Sequence, residues 1–461
     1  MAIEHVIVLI LENRSFDHIF GARHGVEGLQ GTETNPDSRP FDGIPGSPVR
    51  VYVEPSNPYV TVPDPPHEYA DVCQQLFGSV VVPDPSVATN QGFVIAYGEK
   101  AGPNGLVNGA GIARQAMQYF SPPQLPVLNR LADEFVLCDH WFSSVPGPTW
   151  PNRLYLHCAT SGGLADSPSN PTVVGNVLFG LYKLRTIYES LDGAGKTWRI
   201  YYHDPPQSLS LQYVHDRWST NMRTFDAFSA DLQVPGFPNY VVIEPNSGLL
   251  SSADGNDMHP SHDVRKGEAL IAAIYDALRD SDYWQKSLFV IVFDEHGGFF
   301  DHVRPPYEAP HAIPPDDVPS VNPPFRFDRF GLRVPCVLVS PWLPRGYVDK
   351  REFDHSSLPA TVKKLFGLPS FLGKRDEVAN TFETLLLPTV REHTLPSEET
   401  QPLPTGGGSA AIDLTLSEHQ KALLAMAGSV TAPRPIRAQA EQAVAARRAV
   451  YGQVAALAAR K

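Results

Sequence analysis

The sequence predicts an α/β protein with a doubly wound, mostly parallel sheet and helices on both faces. Short apolar runs recur along the chain, and stretches with helical periodicity lie between them. The apolar runs lack a polar alternation, which is typical of strands covered on both faces. Alternation of such strands with helices is typical of strand–helix–strand units and a parallel sheet.

The predicted elements follow from these runs in order along the chain. The predicted strands are Val6–Leu11, Phe135–Cys138, Trp198–Tyr202, Tyr240–Ile243, Leu288–Phe293 and Val334–Val339. The clearest predicted helices are Gln124–Asp133, Pro151–Thr160, Val264–Asp280 and Ser356–Phe366. Residues 33–66 and 205–262 are rich in Pro, Asn, Ser and Asp, and we interpret them as loop insertions.

The chain of 461 residues suits one large α/β domain with insertions, or two domains. After Pro404 the segment TGGGSA predicts a flexible linker. Two stretches rich in Ala and Leu follow and predict helices over Leu416–Ala427 and Ile436–Lys461. We therefore predict a main domain over residues 1–404, and a linker with a C-terminal helical extension over residues 405–461.

Composition excludes some classes of function and leaves others open. Hydrophobic residues make up 42% and charged residues 19% of the chain, which is typical of a globular protein with a core. The net charge of −13 argues against nucleic acid as the main partner. A phosphate ester remains possible as substrate, because a metal ion can supply positive charge locally. None of the four cysteines forms a CxxC pair, which argues against a zinc site made of thiolates.

No apolar stretch reaches the length of a transmembrane helix. No basic segment followed by an apolar segment precedes the first predicted strand. The expected location is therefore the cytoplasm as the sequence stands, or a secreted or periplasmic location if a signal was removed.

Five predicted strands end in carboxylate, amide or imidazole groups. These ends carry Glu12 and Asn13, Asp139 and His140, His203 and Asp204, Glu244, and Asp294 with Glu295 and His296. Open α/β sheets bind ligands at the carboxyl ends of their strands. One polar end is a weak signal, but five such ends indicate a binding site at this edge.

Two of these ends have the composition of a site for a hard divalent cation. Glu12 and Asn13 offer a carboxylate and an amide oxygen, which Ca²⁺, Mg²⁺ and Mn²⁺ prefer, and Zn²⁺ also accepts carboxylates. Asp294 and Glu295 leave a buried strand side by side, and a cation would relieve their repulsion. The alternatives are a capped turn at Asn13 and an acidic surface turn at Asp294.

The segment VPGPTWPNRLYLHC places Thr149 just before Pro151, a residue that suits the first turn of a helix. Thr149 is either a plain helix cap or a hydroxyl nucleophile aimed at phosphorus and activated by a metal. The free N–H groups of a helix start favour an anion there. Asn152, three residues later, is a candidate for a hydrogen bond to a phosphate oxygen.

Several histidines are candidates for contacts to a phosphate or a leaving group. They are His67, His203, His259, His262 and His355. Each alone is more commonly a structural residue, but together they can bind phosphate or donate a proton.

Four segments resemble the bacterial phospholipase C and acid phosphatase family, which also includes plant non-specific phospholipase C. They are ENRSFDHIFG, TWPNR, DEHGGFFDHVRPP and GLRVPCVLVSP, they occur in the family's order, and they span Glu12 to Pro341. NDMHPSHDV and the PHE around His67 are also similar to family segments.

This resemblance implies an alkaline-phosphatase-like fold and a phosphoesterase domain over residues 1–404. It implies that Thr149 is the nucleophile, at a position where some relatives carry Ser. The metal ligands that it implies are Glu12, Asn13, Asp294 and Glu295. The residues that it implies for phosphate and leaving-group contacts are Asn152, His67, His203 and His259, with His259 as the proton donor.

The expected activity is that of a metal-dependent phospholipase C. Such an enzyme would hydrolyse glycerophospholipids to diacylglycerol and a phosphorylated head group through a phosphothreonine. The alternative is an acid phosphatase on the same core. A non-catalytic phosphate- or lipid-binding protein would need a broken catalytic set, and a sulfatase-like enzyme would need Cys or Ser at Thr149.

The end of the chain is basic, since residues 434–461 carry six Arg or Lys residues against one Glu. The C-terminal helices are therefore candidates for contact with an anionic membrane surface. Packing on the main domain or on a second subunit is the commoner role of an Ala-rich helix. The sequence does not determine the number of subunits.

Overall fold

The computed structural model describes most of the chain. The described residues are 3–37, 50–56, 58–80, 88–102, 105, 111–168, 182–249, 255–306, 320–321, 323–392, 395–405, 416–427 and 432–445. Their core is an eight-stranded sheet, and two further sheets have two strands each.

The strands are numbered in chain order. They are β1 His5–Leu11, β2 Thr34–Pro36, β3 Arg50–Tyr52, β4 Val136–Cys138, β5 Trp198–Tyr202, β6 Met222–Thr224, β7 Tyr240–Glu244, β8 Ser287–Phe293, β9 Ser320–Val321, β10 Pro324–Phe325, β11 Cys336–Val339 and β12 Tyr347–Asp349.

The large sheet has the order β12-β4-β11-β8-β1-β7-β5-β6. All pairings in it are parallel except those of β11, which runs against β8 and β4. β1 lies centrally, and its residues Val6 to Leu11 are fully buried between β7 and β8. The carboxyl ends of β1, β4, β5, β7 and β8 therefore meet at one edge, as the strand-end argument requires.

The α-helices are also numbered in chain order. They are α1 Phe16–Phe20, α2 Tyr69–Phe77, α3 Phe93–Ala101, α4 Pro126–Glu134, α5 Thr149–Cys158, α6 Ile187–Gly193, α7 Gln212–His215, α8 Trp218–Asn221, α9 Phe228–Asp231, α10 Val264–Arg279, α11 Ser357–Phe366, α12 Lys374–Val378 and α13 Glu418–Ala427. Residues 434–445 are also helical. α4 packs with α10, while α5 packs with α6 and α11.

The doubly wound, mostly parallel α/β fold is confirmed. Each of the six predicted strands is present within one or two residues of its expected ends. The predicted strand Val334–Val339 begins at Cys336, because Pro335 has no N–H for the ladder. The predicted helix Pro151–Thr160 begins two residues earlier, at Thr149.

The interpretation of residues 205–262 as loop is wrong in part. The segment contains the short helices α7, α8 and α9 and the edge strand β6. These elements are only three or four residues long, so no periodicity reveals them in the sequence. Pairing of β6 with β5 holds the segment at the sheet edge.

The C-terminal extension is described in part. α13 matches the prediction for Leu416–Ala427, and the helix expected over Ile436–Lys461 is described as far as residue 445. The linker after Thr405 and residues 446–461 lie outside the described residues, so the boundary at residue 404 and the membrane role stay predictions. Within the described ranges no helix combines the length and apolar character needed to cross a bilayer.

Glu268 of α10 joins that helix to the start of α4. Its carboxylate oxygens accept hydrogen bonds from the backbone N–H groups of Val127 and Leu128, at 2.7 and 2.9 Å. Glu268 has no exposed surface. Burial raises the pKa of its carboxyl group to about 8, although the two hydrogen bonds lower it.

We expect Glu268→Gln to remove part of the pH dependence of stability. The folded pKa of about 8 lies above the ordinary value of 4.5, so the native state retains a proton that the unfolded chain releases between these values. Stability of the wild type therefore falls as pH rises through this window. Gln keeps an acceptor oxygen and does not titrate. Urea unfolding between about pH 5 and about pH 8 should show the variant gaining a few kcal/mol over the wild type, at about 1.4 kcal/mol per pH unit. A constant difference across this window would contradict the buried titration.

Candidate active site

The ends of β1 and β8 interlock at the carboxyl edge of the sheet. The backbone N–H of Asn13 donates to Asp294 Oδ1 at 3.0 Å, and the N–H of Glu295 donates to the same oxygen at 2.7 Å. The N–H of Asp294 donates in turn to the carbonyl of Leu11 at 3.1 Å. Glu12, Asn13, Asp294 and Glu295 are all buried. The four predicted metal-binding residues therefore lie in adjoining turns.

The backbone at this junction is unusually tight. Asn13 has φ of +57°, in the left-handed region that Asn tolerates better than most residues. Gly297 has φ of +65°, and a Cβ there would lie 1.9 Å from the carbonyl oxygen of Asn13. Only glycine allows this approach, so the GG pair after the second acidic turn has a steric role.

Thr149 is the first residue of α5 and lies against Asn13. Its hydroxyl Oγ1 donates to Asn13 Oδ1 at 3.1 Å, and the side chain is almost fully buried. Three carbonyl oxygens, of Val145, Gly147 and Pro148, accept from Asn152 Nδ2, at 3.0 to 3.2 Å. The amide oxygen of Asn152 accepts from the N–H of Val145. Asn152 therefore braces the loop that presents Thr149, and its polar atoms bond backbone where a phosphate contact was predicted.

The oxygens around Thr149 fit a hard divalent cation. Two ligands at right angles around an ion with bonds of about 2.1 to 2.4 Å lie about 3.0 to 3.4 Å apart, close to the separation of Thr149 Oγ1 and Asn13 Oδ1. Glu295 Oε1 is buried without a hydrogen-bond partner. An unpaired buried carboxylate oxygen is costly unless a cation or proton meets it.

Arg153, the last residue of the motif TWPNR, is a functional candidate to which the sequence alone assigned no role. Its guanidinium donates to Glu12 Oε1 at 2.7 Å and to Asp294 Oδ2 at 3.0 Å, and it is 2% exposed. Burial raises the pKa of the Glu12 carboxyl group well above its usual range and that of Asp294 to about 6, against the opposing effect of Arg153. A third buried carboxylate, that of Glu244, lies 3.9 Å from Arg153 Nη1.

His67 is brought to this cluster from the loop before α2. Its Nδ1 lies 2.7 Å from the carbonyl oxygen of Pro65, and its Nε2 lies 3.3 Å from Asn13 Nδ2 and 4.0 Å from Glu295 Oε1. Burial alone would lower the pKa of His67, but the carboxylates of Glu295 and Asp64 raise it to about 10. The ring of His67 therefore lies beside the oxygen cluster, where a phosphate contact was predicted.

His259 lies on the same side of the site. Its ring centroid is 6.5 Å from that of His67, and its Nε2 is 3.5 Å from the Asp64 carboxylate. The backbone N–H of His259 donates to Asp257 Oδ1, while the carbonyl of Asp257 accepts from the N–H of Glu12. The acidic turn after β1 is therefore tied directly to the histidine segment.

Arg14 holds this histidine segment from the other side. Its guanidinium donates to the carbonyls of Met258 and His259, at 2.7 and 3.2 Å. Met258 has φ of +71°, so the turn before His259 is strained and needs such support. Arg14 belongs to the motif ENRSFDHIFG. It therefore supports the backbone of the second motif, NDMHPSHDV, by hydrogen bonds.

His203 and His355 occupy different surroundings. His203 stacks on Phe225 with centroids 4.4 Å apart, and its Nδ1 lies 3.4 Å from the carbonyl of Glu244. These contacts place it beside β7, and no described contact joins it to Thr149 or Asn13. His355 Nε2 lies 2.6 Å from the backbone carbonyl of Asp294, and burial lowers the pKa of His355 to about 4. A neutral His355 is therefore a backbone support.

His419 of α13 is the second functional candidate that sequence reasoning missed. Its Nε2 lies 3.1 Å from Glu12 Oε1, and the side chain is 5% exposed. Burial lowers the pKa of His419 well below its usual value. No motif marks this residue, because its link to Glu12 spans most of the chain.

A second acidic cluster lies at Asp17, Asp301 and His302, whose ligand atoms are within 4.8 Å of one another. Arg333 donates to Asp17 Oδ1 and Asp301 Oδ1, each at 2.9 Å. Asp17 Oδ2 accepts from His302, and Asp301 Oδ2 accepts from the N–H of Asp17. These oxygens already have partners, so the cluster is a buried ion-pair network that ties α1 to the turn after β8.

The model of the Phosphoesterase family matches residues 3–369. Non-specific phospholipase C4 of Arabidopsis thaliana is 36% identical over 451 residues, which cover 93% of this chain and 80% of that protein. Non-specific phospholipase C3 of the same plant is 38% identical over 409 residues, covering 83% and 73%. Phospholipase C A of Mycobacterium tuberculosis H37Rv is 26% identical over 420 residues, covering 80% and 73%.

Among solved structures, a protein in the alkaline phosphatase superfamily from Vibrio parahaemolyticus is similar at a TM-score of 0.35 and 15% identity. The match covers 56% of this chain and 64% of that one, just under two thirds of its length.

The matched family and its relatives define the class of protein: a hydrolase that acts on phosphoric ester bonds. The chain belongs to the Phosphoesterase family. The resemblance predicted from ENRSFDHIFG, TWPNR and the other motifs is thereby confirmed.

Proposed function

We propose that this phosphoesterase is a metal-dependent phospholipase C that uses Thr149 as its nucleophile. The observation that carries the proposal is the buried Thr149 hydroxyl, which lies 3.1 Å from Asn13 Oδ1 at the start of α5. The substrate class follows from the plant relatives named non-specific phospholipases C, at 36 to 38% identity.

The chain itself orients the nucleophile. Pro148 precedes α5 in an extended conformation, and Asn152 ties the loop before it to the helix. The first N–H groups of α5 have no partner within the helix, so they favour an anion beside Thr149. A phosphodiester bound there would meet the hydroxyl oxygen at the positive end of a helix of ten residues.

Glu12, Asn13, Asp294 and Glu295 would hold the divalent cation, with Ca²⁺, Mg²⁺, Mn²⁺ and Zn²⁺ as candidates. When bound, such an ion lowers the pKa of a coordinated hydroxyl and stabilises charge on phosphoryl oxygens. The buried Glu295 Oε1, which has no hydrogen-bond partner, supports this assignment.

In the first chemical step the deprotonated Thr149 oxygen attacks phosphorus. The bond between phosphorus and the diacylglycerol oxygen breaks, and the leaving alkoxide takes a proton from His259. The Asp64 carboxylate lies 3.5 Å from His259 Nε2. His67 provides positive charge to the phosphoryl oxygens.

In the second step water hydrolyses the phosphothreonine. Neutral His259 accepts a proton from water, and the resulting hydroxide attacks phosphorus. The bond to Thr149 breaks, the phosphorylated head group leaves, and both Thr149 and His259 return to their starting states.

The substrate class is tested by comparing p-nitrophenyl phosphorylcholine with p-nitrophenyl phosphate, each with EDTA and with added divalent ions. We expect faster, metal-dependent cleavage of the choline diester, and release of diacylglycerol from phosphatidylcholine vesicles. Faster cleavage of the monoester would make the enzyme an acid phosphatase. Failure to cleave either compound or the vesicles would indicate a non-catalytic phosphate- or lipid-binding protein.

A further inference from the structure

The helix α13 is fixed at the catalytic edge of the sheet, far along the chain from the family motifs. The apolar side chains of Ala422, Leu423 and Met426 are buried in the main core. Gln420 Nε2 donates to the carbonyl of Ser247 at 2.6 Å. Ser417 and Gln420 bond reciprocally, each accepting from the other's backbone N–H at 3.1 Å. The first turn of α13 is therefore held in one position.

From this turn His419 reaches the carboxylate of Glu12. Its Nε2 lies 3.1 Å from Glu12 Oε1. The same oxygen accepts a hydrogen bond from Arg153 Nη2 at 2.7 Å. The ring centroid of His419 is 6.0 Å from that of Trp150, the residue after Thr149. Glu12 Oε1 thus lies against two buried nitrogen atoms, Nη2 of Arg153 in α5 and Nε2 of His419 in α13.

A pocket beside His419 shows independently that α13 stands at the active site. The pocket has a volume of about 170 Å³. His259 and Asp64 line one side of it, and Ser417 and Lys421 of α13 line another. A molecule bound in this pocket would therefore contact both His259 and α13.

We propose that His419 is a positioning residue that holds the Glu12 carboxylate for divalent-cation binding. The inference rests on the proposed function, in which Glu12 is a metal ligand. A carboxylate held by Arg153 alone can rotate about its last bond, whereas the His419 ring, packed against the same oxygen from another element, restricts that rotation. Loss of such an outer partner typically costs 10- to 100-fold in metal affinity.

The test measures Mn²⁺ binding by isothermal titration calorimetry to full-length protein first stripped with EDTA. We expect His419→Ala to bind Mn²⁺ about 10- to 100-fold more weakly than the wild type. His419→Gln retains a side-chain N–H donor and should recover part of this loss. Leu423→Ala is the matched control, because it weakens the packing of the same helix without touching Glu12. It should lower the melting temperature and leave Mn²⁺ affinity unchanged.

Wild-type Mn²⁺ affinity in both His419 variants would overturn the inference. Equal losses in Leu423→Ala and His419→Ala would also overturn it, because docking of the helix alone would then explain the effect.

Glu12→Gln distinguishes failure of the proposed metal site from failure of the proposed role of His419. If Glu12→Gln binds Mn²⁺ normally, the proposed metal site fails together with the inference. If it loses Mn²⁺ while His419→Ala does not, only the role of His419 fails. Circular dichroism of each variant shows whether it is folded. If His419→Ala is not folded, the Mn²⁺ affinity of His419→Gln is compared with that of the wild type instead.

Discussion

Replacement of Thr149 by valine is expected to reduce turnover of a phosphodiester by more than about 10³-fold, the order seen when a covalent nucleophile is removed. Valine keeps the branched shape and volume of threonine, so no cavity forms at this buried position. It removes only the oxygen that lies 3.1 Å from Asn13 Oδ1. Initial rates with p-nitrophenyl phosphorylcholine would measure the loss.

Three controls test whether the loss comes from the chemistry of the hydroxyl group. Thr149→Ser supplies the same hydroxyl and should retain much of the activity. Mass spectrometry of reactions with p-nitrophenyl phosphorylcholine, quenched rapidly, should detect a peptide containing residue 149 that carries a phosphorylcholine group in the wild type and none in Thr149→Val. Elemental analysis should show whether the metal content survives. Near wild-type turnover by Thr149→Val would show that Thr149 is not the nucleophile.

Replacement of Arg153 by glutamine is expected to have the largest effect on stability. The guanidinium is buried and donates to both Glu12 and Asp294. Its loss leaves buried carboxylates without their cation, which typically costs about 3 to 5 kcal/mol. A lower melting temperature is therefore expected in the absence of metal. Saturating Mn²⁺ should raise the melting temperature of the variant more than that of the wild type, because a cation then replaces part of the lost charge.

Two further variants separate charge balance from packing. Glu12→Gln combined with Arg153→Gln removes an unpaired carboxylate, so the double variant should be more stable than Arg153→Gln alone. Arg375 is a matched control, since it is equally buried but lies 3.4 Å from Asp354 and bonds the carbonyl of Ser144. Arg375→Gln should be destabilised without rescue by Mn²⁺. Rescue of both variants to the same extent would contradict a local metal site.

Much of the fold and the centre of the site could be predicted from short-range features. β1 and β8 each contain a continuous apolar run of six residues, and acidic or amide residues follow each strand directly. Parallel strands bring such ends to one edge, so Glu12, Asn13, Asp294 and Glu295 were expected to meet, and the structure places them in adjoining turns.

Other features depend on distant contacts that leave no local pattern. Asn152 has the residue type of a phosphate ligand, yet its amide is used by the loop from Val145 to Pro148. Arg153 stands in the motif TWPNR, but the motif does not show its partners, which appear only where α5 crosses the ends of β1 and β8. The short elements α7 to α9 and β6 are too brief for a periodic signal.

The sequence by itself determined the α/β class, the family and the edge of the sheet where chemistry would occur, because these depend on periodicity and on motifs of adjacent residues. Only the tertiary structure decided which charges neutralise one another inside that edge. It paired Glu12 with Arg153 and with His419, which is 407 positions away in the numbering. Electrostatic and hydrogen-bond energies in a buried site depend on distances between atoms. Spacing along the chain does not encode those distances when the partners come from different helices.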